Sequence, residues 1–92
     1  MLTAPQRRLF ARPKRLRIAR YPMSDLITIV CNGQSRDVPH GATVAALLAE
    51  LQLSPRMVAV EINLELVPRA THDQRTLAAG DRMEIVSLVG GG

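Results

Sequence analysis

The chain has 92 residues, enough for one domain, and its 12 Lys and Arg against 8 Asp and Glu leave a net charge of +4 that first suggests nucleic acid. A single cysteine excludes an internal disulfide or a cysteine-built metal cage within the chain, and no apolar run approaches the roughly 18 residues of a membrane span. The two aromatic residues, Phe10 and Tyr21, both precede residue 22, so the remainder has no flat ring on which to stack a base.

Residues 1–22 hold Arg7, Arg8, Arg12, Lys14, Arg15, Arg17 and Arg20 and no acid, a charge of +7. Pro5, Pro13 and Pro22 break any long helix, and Leu9, Leu16 and Ile18 are too few to build a buried face. The plainest reading is a disordered basic leader, with Met23 as the true start of translation. An organelle transit peptide and a nucleic-acid or membrane tether are the other readings. Without an apolar core segment the leader is not a secretory signal, and a cytoplasmic protein is expected. From Met23 onward, Arg36, Arg56, Arg69, Arg75 and Arg82 face eight acids, a charge of −3. Leu, Ile and Val make up 21 of those 70 residues, enough for one small aliphatic core. The expected layout is therefore a leader over 1–22, a domain over 23–89 and a glycine tail over 90–92.

Leu26 to Cys31 is β-branched and apolar, and it predicts a buried strand. Asn32-Gly33 predicts a tight hairpin, since both residues tolerate positive φ. Gln34 to Val38 returns as a polar edge strand, and Pro39 to Ala42 is a loop. Thr43 is a good N-cap, and Val44, Leu47, Leu48 and Leu51 form one helical stripe that ends at Ser54-Pro55. Val58 to Ile62 is the next strand, Asn63 a turn, and Glu65 to Val67 a short returning strand closed by Pro68. Ala70 to Ala79 is polar and irregular. Gly80-Asp81 turns into a last strand over Arg82 to Ser87. The fold class is α+β: a mixed sheet with one main helix on one face. Pairing the most apolar strands, the first and last, in parallel at the centre gives the β-grasp, or ubiquitin-like, arrangement.

The last strand runs into Gly90, Gly91 and Gly92. Glycine loses the most entropy on ordering, so a terminal run of it stabilises nothing. Without side chains, though, it can enter a narrow slot of a partner enzyme. There the Gly92 carboxylate, ionised at neutral pH, can attack the α-phosphate of ATP and become an acyl-adenylate. No glycine-rich phosphate loop is present in the chain, so ATP and its Mg would be used by the partner, and no bound cofactor or metal is expected.

With these residues in place, residues 26–92 resemble the ThiS family of sulfur carriers of thiamin synthesis. The resemblance rests on Asn32-Gly33, Thr43 to Leu48, Val58 to Asn63, Leu66 to Arg69 and Gly80 to Val86 running on to Gly92. It implies adenylation of Gly92 by a ThiF-type enzyme and conversion to a thiocarboxylate with sulfur from a cysteine desulfurase. Sulfur is then donated to thiazole synthase. The carrier itself is no enzyme and is a monomer when free, and Gly90 and Gly91 would thread the partner. Many members of the family place glycine where this chain has Leu64, which should cost turn geometry and not function. The same fold and ending also suit the small subunit of molybdopterin synthase or a ubiquitin-like modifier. Neither nucleic acid nor membrane is expected to bind.

Period two sends Met83 and Ile85 to the helix and Glu84, Val86 and Leu88 to the open face. Val86 and Leu88, with Val89, are the expected docking patch. Cys31 is expected to be core. His40, His72, Arg69 and Arg82 are expected at the surface.

Overall fold

The computed structural model describes residues 21–88. A 3-10 turn over Met23–Asp25 leads into β1 (Leu26–Cys31), followed by β2 (Gln34–Pro39), helix α1 (Val44–Glu50), β3 (Val58–Ile62), β4 (Glu65–Val67) and β5 (Arg82–Ser87). The sheet order is β2-β1-β5-β3-β4, with β1 and β5 parallel and every other pair antiparallel. This is the mixed sheet with one covering helix that the sequence predicts. The leader through residue 20 lies outside the described residues.

Local chemistry explains each element. Asn32 and Gly33 take φ of 51° and 82°, as a two-residue hairpin requires. Thr43 caps α1, its hydroxyl accepting the Ala46 N–H at 3.1 Å. Val44, Leu47, Leu48 and Leu51 are all buried against Ile29, Val60, Met83 and Ile85 in one core. The helix ends earlier than Ser54-Pro55. Gln52 turns left-handed at φ 60°, its N–H donating to the Ala49 carbonyl and that of Leu53 to the Leu48 carbonyl. That bonding closes a Schellman motif. Its left-handed residue is Gln and not Gly, so no glycine marks the stop.

Ala70 to Ala79 has no strand or α-helix, as expected, but a 3-10 turn over Arg69–Thr71 opens the segment, which does structural work. The carbonyls of Arg75 and His72 accept the N–H groups of Val44 and Ala45, donors that no turn of helix can satisfy. Leu77 is buried beneath this segment. The expectation that His72 is solvated is wrong. It is only 4% exposed, with Nε2 3.1 Å from the Val67 carbonyl, because the segment folds it under against the helix start. Cys31 is core, as expected. Burial pushes its thiol from an ordinary 9.0 to about 11, with Arg36 opposing the shift and Glu84 adding to it. It is therefore no thiolate nucleophile at neutral pH.

Strand β5 is held from both sides by two asparagine side chains. The Asn63 carboxamide accepts the Arg82 N–H and donates to the Asp81 carboxylate, both at 3.0 Å. Asp81 is itself buried, its second oxygen accepting the Ala78 N–H at 2.8 Å. Three residues further along β5, the Asn32 carboxamide accepts the Ile85 N–H at 2.7 Å and donates to the Ile85 carbonyl at 3.2 Å. Ladder pairing with β1 covers Arg82 and Met83 of β5, so Asn32 extends that edge by a side chain that imitates backbone.

Two outcomes test this reading in urea unfolding. Asn32→Gly keeps the positive φ but removes both amide bonds, and it should lower stability by about 1–3 kcal/mol while speeding hydrogen exchange at Ile85. Leu64 sits at φ 72° and is 92% exposed, so it suffers the left-handed penalty with no packing in return. Leu64→Gly should raise stability by up to about 1 kcal/mol.

Candidate functional site

The structure bears out the direction of the side chains on β5. Met83 and Ile85 are buried, whereas Glu84, Val86 and Leu88 are exposed on the side away from α1. Val86 is 38% and Leu88 61% exposed. The Leu88 N–H still donates to the Met57 carbonyl at 2.8 Å, so backbone bonding holds the chain against the sheet to the last described residue. Val89, Gly90, Gly91 and Gly92 lie outside the described residues.

Register builds the rest of the open face. Ala59 of β3 lies opposite Val86, and Glu61 lies opposite both Glu84 on one side and Leu66 on the other. Leu66 is 66% exposed. Beside the expected Val86 and Leu88, the face thus gains Leu66 and a half-exposed Met57. Leu66 could have been found from the sequence, since it alternates with Val67 on a strand whose inward residue is apolar. Met57 could not, because it lies in a 3-10 turn (Pro55–Met57) whose orientation no period reveals.

The other singled-out residues sit apart from this face. Arg69, Arg82 and His40 are exposed, as expected. Arg36 was not foreseen: it points inward from the edge strand β2 and is 8% exposed. Burial pulls its guanidinium below its ordinary value, and Glu50 works against that. Both residues line an open cleft of about 510 Å³ between β2 and α1. Among the described residues, no group of three or more His, Cys, Asp or Glu is placed to hold a metal ion, and no helix is long and apolar enough to cross a membrane.

Comparison with known proteins agrees with this geometry. The crystal structure of the thiamine biosynthesis protein ThiS from Geobacter metallireducens superposes with a TM-score of 0.62 at 30% identity, covering 72% of this chain and all (100%) of that one. A solution structure of a thiamine biosynthesis protein from the same organism gives 0.60 at 30% identity, over 72% and 88% of the two chains. Two curated relatives are named thiazole synthase. The one from Paramagnetospirillum magneticum is 47% identical over 64 residues, and the one from Magnetococcus marinus is 38% identical over 61. The matches cover 70% and 66% of this chain but 20% and 19% of those proteins, so the chain spans about a fifth of their length. The sequence model of the ThiS family matches residues 28–92, from the middle of β1 through the three glycines. The chain belongs to the ThiS family.

Proposed function

We propose that the protein is a sulfur carrier of thiamin synthesis, working in the cytoplasm as a substrate of other enzymes and not as an enzyme. The observation that carries this reading is the anchorage of β5, bonded on both sides and held at Leu88 to Met57, directly before a sequence that ends in three glycines. A rigid base and a side-chain-free end suit a carboxylate that must be offered inside another protein.

The chemistry follows from that end. An oxygen of the Gly92 carboxylate attacks the α-phosphorus of ATP, pyrophosphate leaves, and the acyl-adenylate forms. The outer sulfur of a persulfide charged by a cysteine desulfurase displaces AMP at the carbonyl carbon to give an acyl disulfide, and a second thiol then cleaves the S–S bond, leaving a thiocarboxylate on Gly92 and a disulfide on the donor. ATP and Mg belong to a ThiF-type adenylating enzyme, and thiazole synthase takes the sulfur. The relatives named thiazole synthase support that acceptor, because a module similar to this chain makes up about a fifth of their length. Gly90 and Gly91 let the end pass through a slot that a Cβ would block. Val86, Leu88 and Val89 form the docking patch beside it.

Two experiments test the proposal. Incubation with ATP, a ThiF-type enzyme and a sulfur donor should exchange one oxygen for one sulfur, read by intact mass. Deleting Gly92 or blocking it as an amide should abolish the exchange with the fold unchanged, and a chain without Gly92 that still accepts sulfur overturns the reading. Val86→Asp or Leu88→Asp should weaken binding to the adenylating enzyme by about tenfold or more without lowering stability. Unchanged affinity would remove these residues from the docking patch.

A further inference from the structure

The cleft between β2 and α1 lies on the helix side of the sheet, away from the open face. Val38, Pro39, Ala46 and Leu47 give it apolar walls, and Arg36 and Glu50 stand at its far end. Tyr21 lines its mouth and is 44% exposed. The chain is fastened there, because the His40 N–H donates to the Asp25 carbonyl at 2.7 Å and the Asp25 N–H to the Pro22 carbonyl at 2.8 Å. Residues 1–20 therefore join the domain at the opening of the cleft. Along β2, Pro39 and Arg36 are three residues apart, about 10 Å. Five residues cover that distance, since they span up to about 17 Å when extended.

We propose that this cleft is the seat of the chain's own leader, with residues 16–20 in it, Leu16 and Ile18 against the apolar walls and arginines toward the Glu50 carboxylate. Attachment favours the leader over any separate molecule, because a segment joined at Tyr21 is held at the cleft at an effective concentration of about millimolar. Composition favours it as well. Leu16 and Ile18 are the large aliphatic residues between Pro13 and Pro22. Too few to build a core of their own, they are enough to fill a groove that the domain already provides. Charge points the same way, with +7 over residues 1–22 against −3 over the rest. Arg36 carries five N–H donors, which suit the backbone carbonyls of a seated segment. Seated so, the leader covers apolar surface of α1 and stabilises the domain, and it leaves the open face free.

Lys14 is the chain's only lysine, so a carbodiimide, which joins amines to carboxylates, reports which acid lies beside it in the full chain. A Lys14–Glu50 link within one chain is expected, read by peptide mass spectrometry. Ile18→Asp should abolish that link and lower the folding equilibrium constant by about tenfold, read by urea unfolding. Leu9→Asp, a like change outside the seated residues, should leave both unaltered. Ala46→Arg puts bulk and positive charge into the cleft from an exposed position on α1, and it should also abolish the link with helical content unchanged. Absence of the Lys14–Glu50 link, or links of equal yield to Glu61, Glu65 or Glu84, overturns the proposal. So does a link that joins two copies of the chain, one that survives Ala46→Arg, or an Ile18→Asp chain as stable as the parent.

Discussion

The whole sheet depends on how its central strand, β5, is bonded. A strand inside a sheet needs partners on both edges, and β5 finds them on parallel β1 and antiparallel β3. β1 stops short, since it must turn at Asn32-Gly33 to build the first hairpin. The Asn32 side chain fills the gap by giving Ile85 both bonds that a neighbouring strand would give. Asn63 does the related job at the start of β5 from the second hairpin. Each asparagine serves twice, since it also takes the positive φ of its turn. Asparagine is suited to both tasks, because it tolerates the left-handed region and carries a donor and an acceptor on one short side chain.

The helix is seated by a comparable economy. α1 is only seven residues long, too short to persist on its own propensity. Its buried stripe supplies the packing, and the segment after β4 supplies carbonyls to its first free N–H groups. That role explains why residues with no hydrophobic period are nonetheless fixed in place. Leu77 anchors the segment in the core, and His72 closes it by bonding to the carbonyl that ends β4.

Much of the fold was legible because its signals are local. β-branched and apolar runs marked the main strands, Asn-Gly marked the first hairpin, and Thr43 with its stripe marked the helix. The misses are long-range. His72 reads as a loop residue beside an acid, and only packing against α1 shows that it is buried. Arg36 belongs to a strand that reads as polar, yet parity turns it inward. The end of α1 escaped because Gln52 adopts a conformation usually left to glycine. On the candidate site, the parity of β5 was readable and put Val86 and Leu88 on the open face. The Glu61–Glu84 juxtaposition was not readable, since it depends on which strand lies beside which and in what register.

The net charge of +4 was misleading for the same reason that the open face was hidden: both depend on where charges lie and not on how many there are. The basic residues concentrate before Met23, whereas the domain itself is acidic. Within that domain two acids face each other across the sheet at a cost to the free protein. The bond from Leu88 to the Met57 carbonyl keeps the backbone against the sheet to the last described residue. A count of charges therefore says less about this domain than the register that sets Glu61 opposite Glu84, with Leu66 on the other side of Glu61, on one open face.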